Sequence, residues 1–451
     1  MDTATTKDVI VKLLTNIGSR SEVDQYLRYY SAAEQQQYAV VRVSGHVLDE
    51  TFSSLVSSLA FLQRVGLQPI IVLGARPQLR RALVDGAVDT QVIDGLRVTT
   101  PEVLEIALRV FEAESIRLAE ALEALGTRAR LISSGVFRAI HHPDPRLGLV
   151  GQVTDVILTS INSAIRTTQL PILTPFGESA AGQILRLDAD TLAPALARSI
   201  KPHKVILLTT AGGLQDRDGR VISAINLEED LDSGVLEQLH DATTRARLAS
   251  IMQMLRELPR SSSVSITSPD HLARELFTHS GAGTLVRLGE RIRTHETFDT
   301  IDIERVRALL ENSFGQWLDQ DYFTKKLPLK IYLADSYRAI AVLTREQVVA
   351  NGATIDIPYL DKFAVTQEAQ GEGIGSSIWH RMTREHAKFF WRSRMTNPIN
   401  SWYATKADGM YKSERWAVFW CGVTSFVEIQ ACVERAVSLS ASLHPVTTGP
   451  S

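Results

Sequence analysis

The chain has 451 residues, 44% of them apolar and 22% charged, with 48 basic against 51 acidic side chains. This length exceeds one ordinary core and predicts two or three domains, and a formal net charge of −3 gives no cationic footprint for nucleic acid or an anionic membrane. Only Cys421 and Cys432 are present, which excludes a disulfide framework and favours a reducing compartment.

"MDTATTKDVIVKLL" lacks a signal core and no apolar stretch has the length of a membrane span, so the expected location is cytoplasmic and the expected partner a small molecule. Ile10, Leu13, Leu14 and Ile17 then recur at helical spacing behind Thr6, and "SEVDQYLRYYS" continues a helical arm. From Tyr38 to about Arg287 short β-branched runs alternate with longer helical patterns. The runs are "YAVVRV", "QPIIVLG", "RARLIS", "LPILTPF", "KVILLTT" and "SSVSIT". Such alternation predicts parallel strands with helical crossovers, a three-layer α/β domain whose ligands bind at the carboxyl ends of the strands. The polar stretch Ile292–Val306 breaks the rhythm; it sets a boundary near Thr294 and is expected to act as a hinge. Domains of 1–293 and 294–440 follow. After it come a meander of strands, then "GEGIGSSIWHRMTREHAKFF" as one helix, then the aromatic strand "WAVFWCGV", a compact α+β domain. The tail "LHPVTTGPS" reads as frayed.

"FAVTQEAQGEGIGSSIW" carries the strongest chemical signal. A strand ends at Val365, and Gln370, Gly371, Gly373, Gly375 and Ser376 open a helix. Glycines let backbone N–H groups approach an anion closely, and a helix N-terminus adds partial positive charge, which suits a pyrophosphate. The bland reading is a surface turn with glycines at a helix start.

The spacing Q-x-x-G-x-G from Gln370 resembles the acetyl-coenzyme A loop of the GNAT acetyltransferases. With "YLDKFAV", "FWRSRMTNPINSWY" and "WAVFWCG" in order, the stretch from Thr300 to about Ala436 closely resembles the acetyltransferase domain of the vertebrate-like N-acetylglutamate synthases and of bacterial bifunctional synthase/kinases. The resemblance implies that Phe363, Ala364 and Val365 border a parting of strands that admits the pantetheine arm. It implies that Lys362, Arg392 and Asn397 hold L-glutamate and orient its amine, and that Tyr403 protonates the coenzyme thiolate. Arginine suits a carboxylate because its fork is bidentate; Tyr403 and Trp402 also fit a plain aromatic core. Arg394 is read as a structural ion-pair partner. No general base stands out, Glu368, Glu372 and a water chain being the candidates, and no metal is implied.

The chain from about Asp2 to Arg287 resembles the amino acid kinase fold in its acetylglutamate kinase branch, on "DGLRVT" (Asp94–Thr99), "GGL" (Gly212–Leu214) and "ELFTHSGAGTLVR" (Glu275–Arg287). An active kinase of that branch has a lysine and two glycines where this chain has Arg42, Ser44 and Gly45, and glycine-x-glycine-proline-glutamine where it has "GARPQ" (Gly74–Gln78). Arg76 thus puts a large side chain where backbone N–H groups must approach phosphate. Arg186 stands in place of an asparagine and Arg247 in place of a phosphate-facing lysine, and an arginine fork does not reproduce a lysine point charge. "GARPQ" itself resembles the synthases that lack kinase activity. In arginine-sensitive members of the branch the N-terminal helices and the "ELFT…GxGT" region bind L-arginine, which would engage Glu275, Gly281 and Gly283; the bland reading is a turn closing the last strand. The expected function is N-acetylglutamate synthesis from acetyl-CoA and L-glutamate by a homotetramer under L-arginine feedback, with a bifunctional synthase/kinase or a silent arginine-sensing subunit as alternatives.

Overall fold

The computed structural model describes residues 39–64, 67–230, 242–260, 262–277, 282–367, 369 and 373–445. The expected N-terminal arm with Ile10, Leu13, Leu14 and Ile17 lies outside the described residues, as do Gly281, Glu368, Gln370, Gly371 and Glu372. The chain divides into two compact units, Met1–Leu288 and Gly289–Ser451.

Eight strands form the central sheet of the first unit: β1 (Val40–Val43), β2 (Ile70–Leu73), β3 (Ala129–Ile132), β4 (Leu170–Leu173), β5 (Lys204–Leu208), β6 (Ala224–Asn226), β7 (Ser263–Thr267) and β8 (Thr284–Arg287). Their order is β6-β8-β7-β5-β1-β2-β4-β3. Pairing is parallel from β7 to β3, as the alternation predicts, but β8 runs antiparallel to β7 and carries β6 with it. β-branched runs are continuous here because both faces are buried. Val41, Val43, Ile71, Leu73 and Ile206 pack with α2 (Phe52–Arg64) and α4 (Pro101–Ala124), while Val40, Ile70, Val72 and Val205 meet α5 (Ala189–Ile200) and α6 (Ala242–Glu257) on the other face. Two further helices, α1 (Gly45–Glu50) and α3 (Arg76–Asp85), begin at the carboxyl ends of β1 and β2, and α7 (Leu272–Phe277) precedes β8. A separate four-stranded sheet, 137–141, 151–156, 176–178 and 184–186, had no counterpart in the sequence reading.

The second unit is a seven-stranded sheet: β9 (Ile292–His295), β10 (Pro328–Ala334), β11 (Ala339–Ala350), β12 (Ala353–Val365), β13 (Phe389–Arg394), β14 (Gly409–Lys412) and β15 (Trp416–Cys421), in the order β9-β10-β11-β12-β13-β15-β14. All neighbours are antiparallel except β12 and β13. One face is covered by α9 (Ile374–Glu385) and α10 (Asn400–Lys406), through Ile378, Trp379, Met382 and Tyr403. The other is covered by α8 (Ile303–Phe314) and α11 (Phe426–Ser438), through Val306, Leu310, Cys432 and Ala436.

Three expectations change. The single helix read over 371–390 stops at Glu385, and Phe389 starts β13, because Phe389 and Trp391 alternate with Phe390 across two buried faces. Leu443–Pro445 is paired with Gln316–Leu318, so this part of the tail is ordered by a strand far away in sequence. The expected hinge Ile292–Val306 is built into the second unit: β9 pairs with β10, Phe298 is buried, and Asp302 caps α8 by accepting from the Arg305 N–H at 3.1 Å. Its polar texture is that of an edge strand and a cap, which face water. Asp302→Ala should therefore lower the stability of the second unit by about 1 kcal/mol, read as a lower urea midpoint; an unchanged midpoint would contradict the cap.

Candidate functional site

The second unit opens where β12 and β13 part. These parallel neighbours are in register only at Tyr359↔Phe390, yet β12 continues to Val365 with β11 bonded along its other edge as far as Ala339↔Val365. The edge of Phe363–Val365 that faces β13 thus has no strand partner among the described residues. Just before it the register slips, Lys362 facing Val342 and Leu360 facing Leu343, so Asp361 is an extra residue. Such a bulge turns two successive side chains to one face. Leu360 and Phe363 belong to the core beneath α9, whereas Asp361 and Lys362 both turn toward Tyr322 in the core beneath α8.

At the far end of β12 the chain enters α9. Gly373 is its N-cap in a left-handed conformation (φ +84°), with no side-chain cap bond, which leaves the first helical N–H groups for an external acceptor. Gly375 packs close on the strand end: a Cβ there would lie 3.0 Å from the Val365 side chain. Uncapped donors, a glycine N-cap and an unpaired strand edge in one place fit a phosphate followed by an amide-bearing arm. Of the sequence-predicted coenzyme residues the structure brings together Phe363, Ala364, Val365, Gly373, Gly375 and Ser376. Phe363 offers only its backbone, since its ring stacks on Trp402 at 5.6 Å; Ala364 is buried on the other face.

Tyr403 stands beneath α9 among aromatic rings, with Trp391 at 5.3 Å, Phe419 at 5.5 Å and Trp379 at 6.0 Å. It is a core ring, as the bland reading had it. Its hydroxyl nevertheless makes no hydrogen bond among the described residues, and burial alone raises its pKa above the ordinary tyrosine value, so it stays protonated.

Across the sheet lie the cations. Lys362 is 5% exposed and its Nζ donates to Asp361 Oδ2 at 2.6 Å and Ser442 Oγ at 2.8 Å, above the Tyr322 ring. Burial pushes the Asp361 carboxyl up, but Lys362, Lys326 and the Tyr322 hydroxyl hold it down at about 2. Asp361 and Tyr322 were missed; "YLDK" shows a carboxylate beside the lysine, but only the bulge points both the same way. Arg392 donates from Nη1 to the carbonyls of Ala436 (2.6 Å) and Leu439 (2.7 Å) and from Nη2 to that of Ser440 (2.9 Å), and lies over Trp416. It therefore caps the C-terminus of α11, a favourable place for a cation, a task the sequence did not reveal; Nε keeps no partner among the described residues. Asn397 accepts from the Ile399 N–H at 3.2 Å, so its amide presents a donor, better suited to a substrate oxygen than to an amine. Arg394 corrects the ion-pair reading: among the described residues its side chain has no carboxylate partner, although it shares the face of β13 with Arg392.

In the first unit the positions that depart from the kinase pattern do converge. Arg42 Nη2 contacts Asp190 Oδ1 at 2.6 Å, and Arg76 Nη2 contacts Asp188 Oδ1 at 2.8 Å and Asp190 Oδ2 at 3.4 Å. The Arg42 guanidinium lies over Gly74, 3.5 Å from where a Cβ would sit. Two ion pairs therefore fill the loop at the carboxyl ends of β1 and β2. Ser44 caps α1, accepting from the Val47 N–H. Arg186 donates to Thr99 Oγ1 and the Arg97 carbonyl, both at 2.9 Å, and Arg247 is exposed on α6.

Glu275 does not face open space. It is 1% exposed, accepts from Ser265 Oγ at 2.6 Å and the Ala282 N–H at 3.0 Å, and stands 3.9 Å from the Lys204 ammonium. Removing it would strip a buried cation of its facing carboxylate, at a cost on the order of 3 kcal/mol, so Glu275→Ala is a stability variant and not a clean probe of arginine binding. Gly283 is required by packing, since a Cβ there would meet the Ile266 carbonyl oxygen at 2.1 Å. Among the described residues no group of histidine, cysteine and carboxylate side chains gathers to hold a metal ion, and no helix is long and apolar enough to cross a membrane.

Residues 293–438 match the family described as the N-acetyltransferase of N-acetylglutamate synthase, and residues 37–257 the amino acid kinase family. A Xanthomonas campestris protein named acetylglutamate kinase is 42% identical over 427 residues, covering 95% of this chain and 100% of that one. The human mitochondrial N-acetylglutamate synthase is 33% identical over 439 residues, covering 96% of this chain and 77% of its own. Among solved structures, N-acetylglutamate synthase from Neisseria gonorrhoeae with coenzyme A and N-acetyl-glutamate superposes with a TM-score of 0.62 at 19% identity, covering 89% of this chain and 98% of that one. The same enzyme with coenzyme A and L-arginine gives 0.54 at 18% identity over the same shares. Kinase-like and acetyltransferase domains in this order, and relatives matched along nearly the whole chain, lead to one conclusion: the chain belongs to the N-acetylglutamate synthase family of the vertebrate-like and bacterial synthase/kinase type.

Proposed function

We propose that the second unit transfers acetyl from acetyl-CoA to the amine of L-glutamate. The observation that carries this reading is the gap between β12 and β13, with an uncommitted, protonated phenol on one side of the sheet and a surplus of cations on the other. Acetyl-CoA would enter as a substrate along the unpaired edge of Phe363–Val365, its pyrophosphate at the start of α9. The gap lets its thioester meet an amine held on the opposite face. Attack of the neutral amine at the carbonyl forms the C–N bond, breaks the C–S bond and expels a thiolate; the nitrogen gives up its extra proton to water, and Tyr403, kept protonated by burial, would give the thiolate a proton or a hydrogen bond. Glutamate carries two carboxylates. The Nε of Arg392 and the fork of Arg394, uncommitted among the described residues, and the donor of Asn397 are suited to them, whereas Lys362 already spends its protons on Asp361 and Ser442. Lys362 is thus better read as shaping the site's charge than as the first ligand.

The kinase alternative has one specific support, the relative named acetylglutamate kinase at 42% identity. Against it stand the ion pairs Arg42–Asp190 and Arg76–Asp188 in the space that phosphates would need. We further propose L-arginine as effector, a homotetramer as the assembly and the cytoplasm as the location; the arginine-bound relative supports the first of these.

Three outcomes test the reading. With acetyl-CoA and glutamate, thiol release should fall about 10²-fold in turnover for Tyr403→Phe with little change in the KM for glutamate; normal turnover would make the ring core packing only. Arg394→Ala should raise that KM about tenfold or more at unchanged melting temperature, while Arg392→Ala should lower the melting temperature as well because α11 loses its cap. An unchanged KM in Arg394→Ala would remove it from the acceptor site. Incubation with N-acetylglutamate, Mg-ATP and hydroxylamine should trap no acyl phosphate, and clear ATP-dependent hydroxamate would establish the bifunctional alternative.

A further inference from the structure

The last described stretch of the chain, "SLSASLHP" (Ser438–Pro445), lies on cations of the second unit. After α11 ends at Ser438, residues 439–445 run as a strap to the pairing of Leu443 with Leu318, where the Asp319 N–H donates to the Ser442 carbonyl and His444 Nε2 meets Asp319 Oδ1 at 2.6 Å. On the way the strap meets Arg392, through the carbonyls of Leu439 and Ser440, and Lys362, through the Ser442 hydroxyl. No pattern in the sequence announces this meeting.

The bonds of the strap are one-sided: it gives acceptors to the cations and keeps its donors. Ser442 Oγ accepts from Lys362 Nζ at 2.8 Å, so its own proton turns away from the lysine and is left to donate. A hydroxyl that accepts from an ammonium is polarised and donates more strongly. No acceptor takes that proton among the described residues, and the backbone N–H groups of Ser440, Ala441 and Ser442 likewise make no hydrogen bond there. Ala441 and Ser442 are half-buried, where donors are costly to leave unpaired. Successive N–H groups, a polarised hydroxyl and the Nε of Arg392 together make a donor set for a carboxylate. The fastening of the strap is light, a short ladder and an ion pair between two exposed groups, which adds little.

We propose, resting on the transferase reading above, that the C-terminal strap forms one wall of the acceptor site and that Ser442 is a further substrate-binding residue. Its hydroxyl donates to the acceptor carboxylate at the Arg392 end, while Arg394 and Asn397 take the carboxylate at the other. Arg392 and Arg394 alternate with Ser393 on β13 and so stand about 7 Å apart along one face. A donor added at the Arg392 end therefore favours an acceptor long enough to reach both ends, glutamate over aspartate. Lys362 acts here through Ser442, by holding the hydroxyl with its proton outward. The competing view makes the strap a tie that only closes the C-terminus of α11.

The test uses the full-length protein with acetyl-CoA, the acetylated product being measured by chromatography. Ser442→Ala should raise the KM for L-glutamate about tenfold, leave turnover and the KM for acetyl-CoA within about twofold, and shrink the preference for L-glutamate over L-aspartate. Ser442→Thr keeps the hydroxyl and should keep most of the affinity for glutamate. Ser442→Cys, close in shape but a weak donor, decides the matter if Ser442→Ala folds poorly, and should behave as the alanine variant is expected to. An unchanged KM for glutamate in these variants would overturn the proposal. So would a lower KM, which would make the strap a competitor of the substrate, or an equal loss in Ser442→Thr, which would make the effect one of packing. Calorimetry of L-glutamate at saturating coenzyme A separates this proposal from the transferase reading. A parent that binds glutamate without acetylating it ends that reading and leaves the strap to be judged by the tenfold loss of affinity in Ser442→Ala; a parent that does neither ends both.

Discussion

Backbone hydrogen bonds that two neighbouring strands decline to make organise the second unit. β12 and β13 meet at Tyr359 and Phe390 and then separate, although every buried N–H and C=O exacts a cost when left unpaired. The separation is sustained from both sides. Toward α9, Phe363, Trp379, Trp391, Trp402 and Tyr403 form one aromatic block packed against the parted strands. Toward α8, the bulge at Asp361 turns two charged side chains inward, and they are satisfied there by Tyr322 and Ser442. On the proposed function an amide-bearing ligand laid along the open edge would replace the missing strand, which would make the defect in the sheet the entry of its substrate.

Charge is distributed to match. On the aromatic side the Tyr403 hydroxyl has no hydrogen-bond partner among the described residues; on the other side Lys362, Lys326 and Arg392 outnumber Asp361, and Glu346 is already joined to Arg435 at 2.7 Å. A neutral phenol on one face and a cationic field on the other would, on the proposed function, separate leaving-group chemistry from acceptor binding. The first unit follows a related logic with the opposite result. At the carboxyl ends of β1 and β2, where an α/β sheet presents its ligand site, Arg42 and Arg76 occupy the space themselves, paired with Asp190 and Asp188.

Much of this was legible in the sequence. The β-branched runs from "YAVVRV" to "SSVSIT" became β1 to β5 and β7, because a strand buried on both faces admits little else. The glycine loop announced α9, since Gly373 and Gly375 are demanded by a left-handed cap and a close strand approach. What stayed hidden depends on partners remote in sequence. Arg392 meets carbonyls at 436–440, Lys362 meets Ser442, and Glu275 meets Ser265 and Lys204; no local pattern around these residues announces such company. The reversal of β8, the strand at 389–394 and the pairing of 443–445 share that cause. Arg394 is the converse case, an arginine flanked like a structural one that has no carboxylate partner among the described residues.

The most direct test is a crystal structure of the protein with coenzyme A and N-acetylglutamate bound in the second unit. The account predicts the pantetheine amides bonded along Phe363–Val365 between the parted strands, the pyrophosphate at the N-terminus of α9, the sulfur within hydrogen-bonding reach of Tyr403, and the N-acetylglutamate carboxylates on the Arg392–Arg394 face. A coenzyme lodged elsewhere, or β12 and β13 closed into a continuous ladder with both ligands present, would contradict it.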